Sequence, residues 1–115
     1  MSAQRRSIAG GFVNGSAGAG VTIASCTGFS GVVHNGVGDY TLTLEPGVSN
    51  SQVAITATPG TPFPTGGVAG KNSGCQIERP TLTTIRVTTW SEAAGAAAAA
   101  ELDFFIDVTA AYTVN

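Results

Sequence analysis

Charged residues are scarce in this 115-residue chain: they make up 10% of it, against roughly 25% in ordinary soluble domains. Five Lys and Arg and seven Asp and Glu leave a net charge of −2. So little positive charge excludes a basic arm for nucleic acid or anionic lipid, and we expect neither a nucleic-acid nor a membrane partner. The low charge also leaves a surface of small polar residues and Ala. Such a surface is typical of a subunit whose faces are covered in an assembly.

Residues that carry catalysis or bind metals are few as well. The chain has one His and two Cys, and its carboxylates are scattered. Cys26 and Cys75 stand alone, without the paired Cys and His spacing of a zinc site. They are either two buried free thiols or the ends of one long-loop disulfide. This scarcity of catalytic and metal-binding residue types argues against a typical metabolic enzyme, and we expect no catalytic residues, no metal site and no cofactor.

Long apolar runs are absent. The longest helix-like stretch, residues 93–100, is far shorter than the roughly 20 residues of a membrane-spanning helix. Arg5 and Arg6 are not followed by the apolar segment that a secretion signal requires. We therefore expect a protein that is made and folded in the cytoplasm of its host.

Turn-forming residues, by contrast, are abundant, with 16 Gly and 5 Pro. They separate short segments in which apolar and polar residues alternate with the two-residue period of a β-strand. Seven or eight such strands predict one all-β domain over residues 8–115, an antiparallel β-sandwich or jelly roll. Residues 1–7 are predicted to be a flexible N-terminal arm, residues 93–100 a loop or one helical turn, and residues 61–74 a long exposed loop. The predicted strands are residues 22–25, 29–34, 39–45, 53–58, 75–79, 81–90 and 102–112.

The sharpest local signal is a β-hairpin with its turn at Asn35-Gly36. Asn-Gly between two apolar runs favours a tight turn because both residues tolerate a positive φ. After the turn, Tyr40, Leu42 and Leu44 alternate with polar residues, which places the three side chains on one face of the strand. The turn is expected to set the register of this strand against the one before it.

Two groups of polar residues could carry chemistry, and each has a simpler interpretation. Ser30, His34 and Asp39 have the residue types of a Ser-His-Asp triad, but His34 and Asp39 flank the predicted turn. They are interpreted as a solvated polar pair at the end of the hairpin. Asp103 and Asp107 are four residues apart on the last strand and could act as paired carboxylates or bind Ca²⁺. No further oxygen ligand stands at an informative spacing, so a polar sheet face or a subunit contact is expected.

The large apolar residues near the end of the chain point to an oligomer. Phe104 and Phe105 are consecutive on a predicted strand, so their side chains face opposite sides of the sheet. One side chain enters the core, and the other needs cover from a neighbouring subunit because an exposed aromatic ridge would aggregate. Core packing on both sides of an interior strand is the alternative. On the first interpretation, the interface of a homotrimer is formed by Trp90, Phe104, Phe105 and Ile106.

Residues 28–58 and 81–108 carry a resemblance to a known group of proteins. The first segment has Asn-Gly-Val-Gly-Asp-Tyr-Thr-Leu-Thr at residues 35–43 and runs into Val-Ala-Ile-Thr-Ala-Thr-Pro at residues 53–59. The second ends in a Phe-rich strand at residues 102–108. This pattern resembles the small trimeric β-sandwich modules of tailed-bacteriophage virions, which are found on tail fibres and on capsid surfaces. The resemblance implies a structural protein of the virion.

Within that group, the expected function is that of a capsid decoration protein, or cement protein. Fibre modules follow a long repetitive shaft, whereas strand-like sequence begins here soon after Met1. We therefore expect a homotrimer that binds the major capsid protein on the outer capsid surface and stabilises the shell. Arg5 and Arg6 are expected to contact the capsid. The alternative is a tail-fibre tip or minor tail protein that binds a host surface glycan through residues 61–74.

Overall fold

The computed structural model describes residues 2–48, 53–60, 73–93 and 96–114. In this part of the chain it contains nine β-strands and one short 3-10 helix, Gly15–Gly20. The strands are β1 (Ser2–Val13), β2 (Ser25–Thr27), β3 (Phe29–Gly36), β4 (Asp39–Leu44), β5 (Val53–Pro59), β6 (Ser73–Glu78), β7 (Thr84–Ala93), β8 (Ala96–Ala99) and β9 (Phe104–Val114).

The strands form two antiparallel sheets packed against each other. Sheet A has the strand order β2-β1-β9-β5, and sheet B has the order β3-β4-β7-β6, with β8 pairing with the end of β7. The predicted all-β sandwich is confirmed. The described residues hold nine strands rather than seven or eight, because β1 begins in the predicted arm and β8 lies in the predicted loop. Most of the loop predicted at residues 61–74 lies outside the described residues.

The first strand starts much earlier than predicted. β1 pairs with β9 along its whole length, with Ser2 opposite Val114 at one end and Val13 opposite Phe104 at the other. The prediction that residues 1–7 form a flexible arm is therefore wrong. The start of the chain is polar and lacks apolar alternation, so its extended form comes from the backbone ladder with the last strand rather than from its own pattern.

Two other segments also differ from the prediction. Residues 96–99 form β8, although their Ala run has high helix propensity. A run this short is only marginally stable as a helix, and pairing with β7 satisfies its backbone instead. The strand predicted at residues 22–25 is irregular over residues 22–24 and ends in a tight turn, in which the Cys26 amide donates to the Ile23 carbonyl at 2.9 Å. The strand β2 begins only at Ser25.

The core lies between the two sheets and is filled by their inward-facing side chains. Tyr40, Leu42 and Leu44 share this face, as the alternation predicts. On β7, Ile85 is buried whereas Arg86 is exposed, so that strand is covered on one side. The core residues are Ala9, Val13, Phe29, Tyr40, Leu42, Leu44, Ile85, Val87, Phe104, Ile106 and Val108.

The predicted hairpin forms between β3 and β4, but its turn lies two residues later than expected. Asn35 and Gly36 belong to β3, and Gly36 pairs with Asp39. The turn residues are Val37 and Gly38, and Gly38 has the positive φ, at +65°. The prediction of a positive φ at Asn35-Gly36 is therefore wrong.

Tertiary contacts explain why the turn is placed at Gly38. Its carbonyl oxygen accepts the Thr89 amide at 2.7 Å, which ties the turn to β7. A Cβ at this position would lie 2.5 Å from the Thr89 carbonyl oxygen and 2.6 Å from that of Ala100. Both the backbone conformation and the space available therefore require glycine here.

Candidate functional site

A pair of aromatic rings, one exposed and one half-buried, lies on the outer face of sheet A. Phe12 on β1 and Phe105 on β9 are cross-strand neighbours, with ring centroids 5.2 Å apart and planes tilted by 59°. Gly60 lies beside them, and a Cβ there would be 3.2 Å from the Phe105 ring and 3.3 Å from the Phe12 ring. The Phe105 residue is 53% exposed. We call Phe12 and Phe105 the aromatic patch.

The structure separates the four residues predicted to form a subunit interface. Phe104 and Ile106 are 0% and 3% exposed in the core of the chain itself. They offer no surface to a second subunit, because the inward face of β9 packs against sheet B, and this part of the interface prediction is wrong. Phe105 faces outward, as expected for one member of the Phe104/Phe105 pair. Trp90 lies elsewhere, since β7 belongs to sheet B.

The second member of the aromatic patch, Phe12, was not among the predicted interface residues. The signal was available, since Phe12-Val13 is a pair of consecutive large apolar residues like Phe104-Phe105. One residue of each pair enters the core, and the other faces outward. No strand is predicted before residue 22, so the opposite directions of the Phe12 and Val13 side chains are not evident from the sequence.

Arg5 and Arg6, the predicted capsid contacts, lie within β1. Their backbones pair with Ala111 and Ala110 of β9, and the Arg6 side chain is exposed. They are thus held on a strand of sheet A rather than on an arm. Their contact with a capsid stays a prediction.

A polar cluster closes one end of the sandwich around Glu101. Its Oε1 is 2.9 Å from His34 Nε2 and accepts the Gly38 amide at 2.7 Å. The Tyr40 hydroxyl is 3.0 Å from Glu101 Oε2 and 2.5 Å from the Gly15 carbonyl oxygen, and it donates between these two acceptors. One carboxylate therefore joins the β3–β4 hairpin to the segment before β9. The Tyr40 contact extends the connection to the 3-10 helix.

The electrostatics of this cluster favour an ionised carboxylate. Burial alone would raise the pKa of Glu101, but hydrogen bonds from His34, the Gly38 amide and Tyr40 outweigh it and hold the pKa below its ordinary value. Burial and the adjacent carboxylate raise the pKa of the Tyr40 hydroxyl, so that it stays protonated and donates. Both shifts stabilise the same arrangement of donors and acceptor.

The Ser-His-Asp grouping does not assemble. His34 pairs with Glu101, Asp39 pairs with Arg86, and the Ser30 hydroxyl donates to the Thr43 carbonyl at 3.4 Å. The interpretation of His34 and Asp39 as a solvated pair with each other is also wrong, because each has a different partner. In the described residues, no serine or cysteine is hydrogen-bonded to His34. The contacts of the polar cluster therefore hold neighbouring segments of the chain together.

The outer face of sheet B carries a fixed guanidinium. Arg86 Nε donates to Asp39 Oδ1 at 2.9 Å, and Arg86 Nη2 donates to Oδ2 at 2.5 Å. Asn35 Nδ2 donates to the same Oδ1 at 3.2 Å. The hydrogen bond from Arg86 lowers the pKa of Asp39 against a smaller opposing effect of burial, and the Asn35 contact adds to it. Glu78 approaches the other side of the guanidinium, with its Oε2 3.5 Å from Nη1.

A groove of about 310 Å³ runs beside this guanidinium between β6 and β7, and we call it the sheet B groove. Trp90 lies two residues along β7 from Thr88 and pairs with Gly74 of β6. A Cβ at Gly74 would clash with the indole ring, so the glycine makes room for the ring to lie across β6. The groove is lined by Gln76, Ile77, Glu78, Arg86 and Thr88.

The two carboxylates predicted to share the last strand, Asp103 and Asp107, have separate hydrogen-bond partners. Asp103 precedes β9, and its Oδ1 accepts the amide and hydroxyl of Ser16 at 3.0 and 2.6 Å. Asp107 Oδ1 accepts the Ser7 hydroxyl at 2.6 Å. Each carboxylate is thus tied to a serine on a neighbouring segment. Across the described ranges, no group of three or more His, Cys, Asp or Glu side chains is placed to hold a metal ion.

The two cysteines are free thiols in the structure, one on each sheet. Burial raises the pKa of both, that of Cys75 to about 11. At neutral pH they are therefore protonated, and the thiol is a poor nucleophile compared with the thiolate. Of the two alternatives, free thiols or a Cys26–Cys75 disulfide, the structure has the first.

Comparison of the chain with protein-family models, with curated proteins and with solved structures gave no match. Within the part of the chain that the structure describes, no helix has the length and apolar character needed to cross a membrane.

Proposed function

We propose that this protein is a structural subunit of a bacteriophage virion, a capsid decoration protein that binds the outer capsid surface as a homotrimer and stabilises the shell. The observation that carries the proposal is the aromatic patch. Phe12 and Phe105 are held side by side on neighbouring strands at the outer face of sheet A, where Phe105 is exposed and Phe12 half-buried. Removing apolar surface from water stabilises an association by about 25 cal/mol per Å², and aromatic rings are the side chains most enriched at interface centres.

The surroundings of the patch favour burial against a partner. The strand residues next to Phe105 across β5 and β9 include Thr58 and Thr56, which are uncharged. The charged neighbour Asp107 already accepts a hydrogen bond from Ser7. A partner that covers this face therefore has few charges to desolvate, and interface centres are depleted of charge for that reason.

Within the proposed trimer, the aromatic patch of each subunit is covered by a neighbouring subunit. Capsid contacts that are weak for one subunit then become strong, because three linked copies engage the capsid together at high effective concentration. The virion assignment is supported by the sequence resemblance in residues 28–58 and 81–108. The proposed partners are the major capsid protein and two further copies of the chain.

The oligomeric state tests the first step of the proposal. Light scattering after size exclusion should give the mass of a trimer for the parent chain and a monomer for Phe105→Asp. The matched control is Val33→Asp, which places the same charge at an exposed position on sheet B, where Val33 is 59% exposed. It should leave the trimer intact, and circular dichroism should show both variants folded. A monomeric parent at micromolar concentration would contradict the proposal.

The location tests the second step. A reconstruction of the virion encoded by the same genome should place copies of the chain in threes on the outer capsid surface, with the outer face of sheet A covered. Copies found on the tail would refute the capsid assignment and favour the tail-fibre alternative.

A further inference from the structure

The sheet B groove combines hydrogen-bond donors and acceptors within one small space. Arg86 donates, Glu78 accepts, and the Gln76 amide and the Thr88 hydroxyl each do both. A ligand hydroxyl also both donates and accepts, so adjacent hydroxyls on a sugar ring match such a lining. The volume of about 310 Å³ lies at the lower end of the range of small-molecule sites.

The guanidinium is positioned before any ligand arrives. The two hydrogen bonds from Arg86 to Asp39 fix its plane, and Asn35 holds the carboxylate from the other side. The contact with Glu78 is longer, at 3.5 Å. Since Glu78 is 66% exposed at its side chain, its oxygens remain accessible. A fixed donor beside an accessible acceptor lowers the ordering cost of binding.

Charge excludes one class of ligand. Asp39 and Glu78 together carry one more negative charge than Arg86 can neutralise. A phosphate or carboxylate in the groove would face this excess, whereas an uncharged polyol would not. A cation would be repelled by the positively charged guanidinium of Arg86, which forms part of the groove wall.

We infer that the sheet B groove binds a neutral saccharide end group, with Glu78 and Arg86 contacting adjacent hydroxyls. The half-buried ring of Trp90, two residues along β7 from Thr88, supplies an apolar surface beyond the end of the groove for a second sugar unit. This site is separate from the aromatic patch, which lies on the opposite sheet. It does not depend on the proposed function.

The test is a titration of the full chain with simple sugars, followed by two-dimensional NMR of the backbone amides. The neutral probes are the methyl glycosides of glucose, galactose and mannose and N-acetylglucosamine; glucuronate and glucosamine supply a negative and a positive charge on the same ring. We expect saturable shifts at Gln76, Glu78 and Thr88 with at least one neutral probe. The charged probes should bind more weakly than their neutral counterparts.

Variants decide whether the groove is the site. Glu78→Gln should weaken binding by about tenfold or more, as expected when a charged hydrogen-bond acceptor is lost. Gln76→Ala should weaken it as well. The matched control, Glu45→Gln, removes an exposed carboxylate away from the groove and should leave binding unchanged.

Three results would overturn the inference: no saturable shift with any neutral probe at tens of millimolar, tighter binding of a charged probe, or equal binding by the parent and Glu78→Gln. Repeating the titration on Phe105→Asp separates this inference from the proposed function. Sugar binding should persist in that variant even though trimer formation is lost.

Discussion

The outer face of sheet A carries an exposed and a half-buried aromatic ring, whereas the outer face of sheet B carries an ion-paired guanidinium among amide and hydroxyl groups. Both sheets bury the same kind of inner face against one core. Phe12 and Phe105 contact each other with Gly60 beside them, while Arg86 is held by Asp39 and approached by Glu78. The outer face of sheet A thus presents apolar rings, whereas the polar groups on the outer face of sheet B are paired with one another.

This difference indicates a division of roles. Apolar surface gains free energy only when it is covered, so the sheet A face is suited to a permanent partner. Polar groups fixed by one another can face water without penalty and can exchange that water for a small polar ligand. On sheet B, Asp39, Glu78 and Arg86 are paired with one another, whereas the charged neighbour of the aromatic patch on β9, Asp107, accepts a hydrogen bond from Ser7.

The largest expected effect separates the two sides of β9. Phe104→Ala should lower the free energy of unfolding by about 3–5 kcal/mol, because it opens a cavity in the core. Phe105→Ala should cost about 1 kcal/mol, the scale of an aromatic pair. Urea denaturation at low protein concentration measures both. Equal losses would mean that the outer face of sheet A is packed like the core, and the contrast with sheet B would fail.

The next effect tests the turn that borders the sheet B face. Gly38→Ala should lower stability by about 2–4 kcal/mol, from a left-handed backbone and from crowding against the Thr89 and Ala100 carbonyls. The matched change Gly36→Ala should be neutral or slightly stabilising, since a Cβ there meets nothing within 4 Å. Thermal melts of the two variants check this. A larger loss of stability for Gly36→Ala than for Gly38→Ala would indicate that the turn lies at Asn35-Gly36.

The inner faces of the sheets were the most predictable part of the fold. Tyr40, Leu42 and Leu44 alternate because one face of β4 must be apolar to be buried, and a two-residue period is visible in any sequence. The early part of β1 could not be predicted in this way. Its extended form depends on hydrogen bonds to β9 at the far end of the chain, and such pairing leaves no local pattern.

The candidate sites were predictable only in part, for the same reason. One member of the Phe104/Phe105 pair was expected to face outward, because consecutive strand residues face opposite sides of the sheet, but the sequence did not identify which one. Glu101 was not identified, since its partner His34 is 67 residues away along the chain. Likewise Arg86 and Asp39 meet only because β4 and β7 pair. Polar contacts across strands follow from register, which the positions of single charged residues do not reveal.

The third effect concerns the polar cluster that holds the sheet B hairpin in place. Glu101→Gln should lower stability by about 1–2 kcal/mol at neutral pH, as charged hydrogen bonds to His34, Gly38 and Tyr40 weaken. Because the folded state holds the pKa of Glu101 below its ordinary value of 4.5, this stabilisation is complete above that value. It is lost as the pH falls through the folded-state pKa.

Urea denaturation of the parent and Glu101→Gln from neutral pH down to pH 3 follows this dependence. The gap between the two should narrow on acidification, since the protonated carboxyl of the parent then resembles the amide. Asp39 titrates in both proteins and cancels in the difference. A gap that stays constant with pH would show that the Glu101 contacts contribute through shape alone.

The smallest effect lies on the sheet B face itself. Asp39→Asn should cost about 0.2–1 kcal/mol, because an exposed ion pair contributes little to folding even when it is bidentate. The loss of stability should shrink at high salt, which screens the pair, whereas the loss for Phe105→Ala should not.

Sugar binding by Asp39→Asn should change more than its stability does, since Asp39 fixes the Arg86 plane and an unfixed guanidinium must be ordered by the ligand. Calorimetric melts in low and high salt, together with the sugar titration, measure both. If Asp39→Asn destabilises the fold more than Phe105→Ala and leaves binding intact, sheet B is the structural face and the roles assigned to the two faces are reversed.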